Sequence, residues 1–449
     1  HKVGIPAELI GSLIISNGWD LRHASRWRER SSLFNRTPLE LTGDPLSQKE
    51  IMEALAKQKL LVVHPSLQSP RGGITVVAWM LEALKKEYDI TILTWTAVDF
   101  AALNHYYGTA LGPADCKVYI VPRAIRRLIE WIPDPWQYQR YALLMRWCKI
   151  IKRRYHVMIA ANNETDFGCK GIQYVHFPYF KEHWNREPKP GHGNSWPRRL
   201  EAWIKTRLRP WRMISGYSFK RMKQNLTLIN SDWTARHFQE IYATAAITVY
   251  PPVPGNFPEV SWGKRESGFI CIGRISQEKR LEEMIDILAA VKPHFPEVHL
   301  HIIGSRVGGY PEDYYTRVRK KVRENAAWVY LHEDVPRAQL VELVSRHRYG
   351  IHGMIDEHFG IAVAELVRGG CITFVPDSGG PVEIVGHDHR LLYHTQEEAV
   401  DRILHVMCDQ HEQRALQKHL AARKELFMTE KFMRQIKEIV QTFTHDASA

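Results

Sequence analysis

Three blocks in the second half of this 449-residue chain set charged side chains among glycines. The first is Gly273-Arg274-Ile275-Ser276-Gln277-Glu278-Lys279-Arg280. It falls between a predicted strand and a predicted helix, where backbone N–H groups and the helix dipole favour an anion. Arg274 and Lys279 would complete a diphosphate site there, although a solvated basic turn has the same composition. The second block, Asp356-Glu357-His358-Phe359-Gly360-Ile361-Ala362-Val363-Ala364-Glu365, also follows a predicted strand. From Gly360 its pattern is helical, so Glu357 stands just before the helix and Glu365 between one and two turns inside it. Free N–H groups of His358, Phe359 and Gly360 would share their crevice, and two carboxylates beside amide donors suit a ligand rich in hydroxyls. Taken singly, Glu357 could equally serve the helix dipole, and Glu365 could sit on an exposed face. The third block, Asp377-Ser378-Gly379-Gly380-Pro381-Val382-Glu383, gathers small residues that let backbone approach a ligand closely, as a plain strand-to-helix turn also would.

The elements that must position these blocks form two series. In the first, an apolar run at Leu60 to Val63 precedes a loop with Gly72 and Gly73, a helical period from Ile74 to Lys86 and a second run at Ile90 to Thr94. Further strands are predicted at Val118 to Val121, Val157 to Ala160, Ile172 to Val175 and Leu226 to Asn230. The prolines at 251, 252, 254 and 258 interrupt the pattern and suggest a linker. The second series has strands at Phe269 to Ile272, Val298 to Ile303, Trp328 to Leu331, Tyr349 to His352 and Ile372 to Val375, with helices at Leu281 to Val291, Arg337 to Arg346 and Gly360 to Arg368. Strands alternating with helices imply parallel sheets, and two such sheets in tandem suggest a ligand cleft between domains. The expected division is an N-terminal extension (1–58), two α/β domains (59–250 and 251–426), and a last helix (427–449) that could pack back on the first domain.

Size and composition agree with a folded, multi-domain chain. At roughly 150 residues per domain the length suits two or three domains, and 44% hydrophobic with 24% charged residues excludes disordered and collagen-like classes. No apolar run approaches a membrane span, and no signal-like block opens the chain. Six cysteines without a CxxC pair suit free thiols, so a cytoplasmic protein is expected, while the start at His1 leaves room for a segment upstream. No His, Cys or Asp cluster has ligand spacing, so no metal is expected. N-x-S/T matches at Asn35, Asn163 and Asn225 say little for such a chain. The net charge of +12 is concentrated in residues 123–155, with nine basic and two acidic residues, and 181–223, with twelve and three. Tryptophans interleave with the cations in both, a combination that suits an anionic membrane surface, a nucleic acid or simply a solvated basic face.

In order along the chain, these blocks resemble the signatures of the retaining, metal-independent glycosyltransferases of family 4. Gly72-Gly73-Ile74 is similar to that family's glycine loop, Tyr174-Val175-His176-Phe177-Pro178 to its active-site histidine block, and Asn230-Ser231-Asp232-Trp233-Thr234 to its NSxxT stretch. The resemblance covers residues 59–383. It implies the GT-B architecture, in which two Rossmann-like domains face each other across a cleft.

By the same resemblance, Arg274 and Lys279 neutralise the donor diphosphate in place of a metal, Glu365 binds the nucleotide ribose, and Glu357 lies near the donor sugar and the reaction centre. Backbone amides of His358, Phe359, Gly360 and Ile361 bind the sugar or phosphate, Gly72 and Gly73 close over the donor, and His176 sits near the transferred sugar. The implied donor is GDP-mannose, with UDP-sugars possible. The implied acceptor is a glycan or lipid-linked hydroxyl, reached at a membrane surface through the basic segments; a nucleic-acid partner is not expected. A nucleotide-sugar epimerase or hydrolase, or a binding protein without turnover, would carry the same architecture.

Overall fold

The computed structural model describes residues 57–68, 72–130, 138–178, 210–306 and 312–448. The expected extension, except residues 57 and 58, and most of the basic segment 181–223 lie outside these residues. Near-continuous apolar runs become strands buried on both faces, as parallel sheets require. Leu60, Leu61, Val62 and Val63 are all fully buried. The first sheet holds β1 (Lys59–Val63), β2 (Asp89–Thr94), β3 (Cys116–Ile120), β4 (Val157–Ala160), β5 (Ile172–Val175), β6 (Leu226–Ile229) and β7 (Ile247–Thr248), in the order β3-β2-β1-β4-β5-β6-β7. The second holds β8 (Glu266–Ile272), β9 (Leu300–Gly304), β10 (Val329–Glu333), β11 (His347–Ile351), β12 (Ile372–Pro376) and β13 (Leu392–Tyr393), in the order β10-β9-β8-β11-β12-β13. Every pairing is parallel. Each sheet therefore reverses direction once, at β1/β4 and at β8/β11, and the crevice at the carboxyl ends of such strands is where open α/β sheets bind ligands.

Three helices bear on the site: α1 (Gly72–Leu84) after β1, α2 (Asp232–Tyr242) after β6 and α3 (Ile361–Arg368) after β11. The two glycines expected in a loop are instead the first two residues of α1, so they lie at its amino end. The prolines of the predicted linker are not in a loose tether. Pro251, Pro252 and Pro254 are buried, and Val253 donates its N–H to the Phe427 carbonyl at 3.0 Å within the second core. The last helix, α4 (Thr429–Ser448), sets Phe432, Ile436, Val440 and Phe443 on one stripe, and that stripe belongs to the core of the first sheet. The helix Gln396–Cys408 and the two-residue strands β7 and β13 have no counterpart among the predicted elements. Among the described residues no helix is long and apolar enough to cross a membrane.

Candidate active site

The carboxyl ends of β8 and β11 bring the first two blocks together. After β8 the chain turns through Gly273 and a short 3-10 turn at Gln277–Lys279, and Arg280 takes a left-handed backbone (φ 54°) before the next helix starts at Leu281. This turn carries Lys279 back under the sheet end, where it is 9% exposed. Its Nζ meets the Glu357 carboxylate, and His352, directly after β11, brings Nε2 to 3.5 Å of the same carboxylate. Burial alone would raise the Glu357 carboxyl, but the neighbouring His352 and the Lys279 charge outweigh it and hold the group well below the usual carboxylate range. Glu357 is thus ionised, and Lys279, expected to stand ready for phosphate, has a partner. Arg274 remains nearly half exposed and reaches Glu278 at 3.3 Å.

The third block packs directly against this loop. A Cβ on Gly379, whose φ is +80°, would lie 2.8 Å from the Glu357 nitrogen, and one on Gly380 would lie 2.6 Å from the Phe359 Cα. Gly380 donates its N–H to the Glu357 carbonyl at 2.8 Å. The small residues therefore admit the Glu357 backbone. Gly360 (φ +98°) ends the loop and α3 starts at Ile361. The Phe359 side chain is buried against Tyr250 and Phe427, leaving only its backbone for a ligand. Glu365, also buried, pairs with Arg337, which in turn donates to the Pro254 carbonyl. Glu365 is therefore neither exposed nor without a partner, and Arg337 lies outside every predicted motif.

The first domain faces this assembly. A Cβ on Gly72 would lie 2.9 Å from Ile361 Cδ1, and one on Gly73 would lie 3.2 Å from His176 Nε2. That Nε2 is buried and has no hydrogen-bond partner among the described residues. Burial, opposed by a hydrogen bond to the Ala161 backbone and aided by the neighbouring His358, lowers the His176 pKa to about 4. Neutral at physiological pH, the ring leaves Nε2 without a partner beside the amino end of α1. Asn163, which on sequence was only a glycosylation match, accepts from the N–H groups of His176 and Phe177 at 3.2 and 3.3 Å, and Asn230 donates to the His176 carbonyl at 2.9 Å.

The domains are held in register beside the cleft. Phe177 stacks on His358 with centroids 4.0 Å apart and planes 11° apart. Ser231 and Thr234 hydroxyls donate to the His358 carbonyl at 2.6 and 3.0 Å. Glu383 spans the domains, accepting from the N–H groups of Asp232 and Trp233 at the amino end of α2 at 2.8 and 2.5 Å. The NSxxT stretch and the final glutamate of the third block thus form an interdomain clasp. Sequence reading missed it because neither half shows its partner.

Comparisons with known proteins fit this arrangement. Residues 256–423 match the family described as glycosyl transferases group 1. Over 272 residues the chain is 26% identical to the GDP-Man:Man(3)GlcNAc(2)-PP-Dol alpha-1,2-mannosyltransferase of Caenorhabditis elegans, covering 54% of this chain and 56% of that one. It is 27% identical over 237 residues to the protein of the same name in Dictyostelium discoideum, covering 48% and 47%. The chain spans about half the length of the curated relatives it matches. Anabaena HepE, solved in complex with UDP and glucose, superposes with a TM-score of 0.60 at 15% identity, covering 86% of this chain and 100% of that one. With two parallel sheets opposed across these blocks, the chain has the GT-B fold, and the stretch similar to glycosyl transferases group 1 is its second sheet with the helices around it.

Proposed function

We propose that the chain transfers mannose from GDP-mannose to a hydroxyl of a lipid-linked glycan, with retention at the anomeric carbon. The observation that carries this reading is the meeting of a buried lysine, an ionised glutamate and an unpartnered histidine nitrogen at the facing ends of the two sheets. The names of the relatives support the donor and the acceptor class.

In the reaction, the bond from the anomeric carbon to the diphosphate oxygen breaks and a bond to the acceptor oxygen forms on the same face. The acceptor proton passes to the departing diphosphate. The costly feature is charge gathering on that leaving group, so Arg274 and Lys279 act by stabilising it as it forms, without a metal. Diphosphate then takes the place of Glu357 at Lys279, and Glu357 turns toward the donor sugar. His176 Nε2 accepts from a sugar hydroxyl, and as a neutral ring it adds no positive charge where the sugar becomes cationic. Glu365 exchanges Arg337 for the ribose hydroxyls. A cytoplasmic protein peripheral to an anionic membrane, held by 123–155 and 181–223, would meet such an acceptor at its surface.

The first test is thermal stabilisation by GDP-mannose, GDP, UDP-glucose, UDP-N-acetylglucosamine and UDP, since ligands of the native state raise the midpoint. Guanine nucleotides should shift it at concentrations up to about a millimolar. A shift with uridine nucleotides alone would move the reading to a UDP-sugar transferase of the same architecture. No shift with either class would sink it. Given a suitable acceptor, Arg274→Ala should lose at least about tenfold in turnover, roughly 1.4 kcal/mol of leaving-group stabilisation.

A further inference from the structure

We propose that Glu266, His299, His301 and His347 form a zinc-type divalent metal site at the amino ends of β8, β9 and β11. Glu266 and His347 open β8 and β11, and His299 directly precedes β9. The site is therefore at the opposite edge of the sheet from Gly273 and Glu357, and it does not depend on the transferase reading.

The argument starts from hydrogen positions. His299 Nδ1 lies 3.0 Å from the Glu297 carbonyl, and His347 Nδ1 lies 2.6 Å from the Leu343 carbonyl. Carbonyls only accept, so both Nδ1 atoms carry hydrogen and, in neutral rings, both Nε2 atoms present lone pairs. These two atoms face each other at 3.1 Å. A third acceptor joins them, because Glu266 Oε2 is 3.3 Å from His299 Nε2 and 3.6 Å from His347 Nε2. Arg346 holds the other carboxylate oxygen, with Nη2 2.6 Å from Glu266 Oε1. Lys292, which lines the same cleft, is bonded away to the Pro296 and Val298 carbonyls at 2.9 Å each, and Arg265 donates to the His347 carbonyl at 3.1 Å. Three acceptors converging on one point need a proton or a cation between them.

The spacing suits a metal. Tetrahedral zinc with bonds of about 2.0 to 2.1 Å sets its ligand atoms about 3.3 Å apart, and the three observed separations straddle that value. His301 supplies the fourth direction, since one ring nitrogen from each of His299, His301 and His347 lies within 4.8 Å of the others. Its Nδ1 is 2.8 Å from His332 Nε2, so all three rings have the outer partner that orients metal-binding histidines. Gly268 makes room for the cluster, because a Cβ there would lie 2.6 Å from His347 Cδ2 and closer still to His299. The rings line a surface cleft of about 410 Å³, through which an ion can enter. The ligands come from three separate strand ends, with only His299-x-His301 close along the chain, so their spacing carries no metal-site signature.

The test uses the full chain with any affinity tag removed, stripped of metal and titrated with Zn²⁺ and Co²⁺. With 23 histidines in the chain, adventitious binding must be separated from this site. One zinc per chain should survive gel filtration, and Co²⁺ should give the intense visible bands of a tetrahedral centre. His299→Ala should abolish both, Glu266→Gln should weaken binding about tenfold, and His411→Ala, an exposed histidine elsewhere, should change neither. Circular dichroism of metal-free His299→Ala confirms that it is folded. No retained zinc in the native chain, equal retention by His299→Ala, or an octahedral cobalt spectrum would each overturn the proposal.

Discussion

Replacing Glu357 by Gln tests the Lys279 pair on stability and on ligand binding at once. Lys279 and Glu357 side chains are only 11% and 18% exposed. Removing one member of a buried pair costs about 3 to 5 kcal/mol, because the other charge stays buried and unpaired. Residual exposure and the polar amide reduce this to roughly 2 to 3 kcal/mol. For a domain of this size, each kcal/mol lowers the midpoint by roughly 2 to 4 °C, so the ligand-free variant should melt on the order of 5 to 10 °C lower. Adding GDP should then reverse the order of effects. On the proposed exchange, diphosphate displaces a carboxylate from Lys279 in the native chain but meets an uncompensated cation in Glu357→Gln, so GDP should bind the variant about tenfold more tightly, or roughly 1.4 kcal/mol. The gap in midpoint should narrow as GDP approaches saturation. Glu278→Gln is the control, since its pair with Arg274 is 46% and 31% exposed and such pairs contribute about 0 to 1 kcal/mol. Differential scanning fluorimetry with and without GDP, and calorimetric titration, read both quantities. An unchanged midpoint in Glu357→Gln, or weaker GDP binding by it, would refute the exchange of carboxylate for diphosphate.

Three further outcomes follow from the same geometry. Gly379→Ala combines a left-handed backbone with a Cβ pressed on the Glu357 peptide, so it should destabilise by at least about 1 to 2 kcal/mol and cut turnover more than tenfold; a native midpoint and native turnover would show that the loop yields freely. Glu383→Ala removes the acceptor for two N–H groups at the start of α2; it should destabilise the protein by about 1 to 3 kcal/mol and, on the proposed function, raise the donor KM, and limited proteolysis near residue 250 checks the loosening. His176 is depressed to about 4, and burial also lowers His352 and His358. In the unfolded chain these rings take up protons near pH 6.5 while the folded ones resist, so stability should be flat above that pH and fall below it, by up to about 1.4 kcal/mol per pH unit for each ring. A melting temperature independent of pH between 6.5 and 5 would contradict this.

How much of this was legible in the sequence depends on the range of the interaction. Runs such as Leu60 to Val63 and Phe269 to Ile272 announce strands because a doubly covered parallel strand must be apolar throughout, and both strands appear with boundaries shifted by no more than three residues at their ends. The blocks at Gly273 and Asp356 were readable as loops at strand ends for the same local reason. Pairing was not readable. Sequence offers Lys279, Glu357 and Glu365 as three separate charged residues, and only the fold decides that Lys279 closes on Glu357 while Glu365 takes Arg337.

Long-range partners also explain the residues that were passed over. Asn163 reads as a glycosylation match until β4 and β5 lie side by side and its side chain takes the peptide N–H groups of His176 and Phe177. Asn225, the other described match, is buried and accepts from the Gly171 N–H at 3.0 Å while donating to the Thr165 carbonyl at 2.7 Å, so its amide is spent inside the protein. The third block left two readings open for the same reason. Glycines signal that something approaches closely, but they do not say whether it is a ligand or the chain itself. Here the space beside Gly379 and Gly380 is filled by the Glu357 loop, so on the proposed function the block reaches donor chemistry through the placement of Glu357. Substitutions in it should therefore change Glu357-dependent behaviour, including the tighter GDP binding of Glu357→Gln, rather than subtract a separate ligand contact. A double variant of Gly379→Ala with Glu357→Gln that loses no more turnover than the worse single change would bear that out, whereas additive losses would give the glycines a contact of their own.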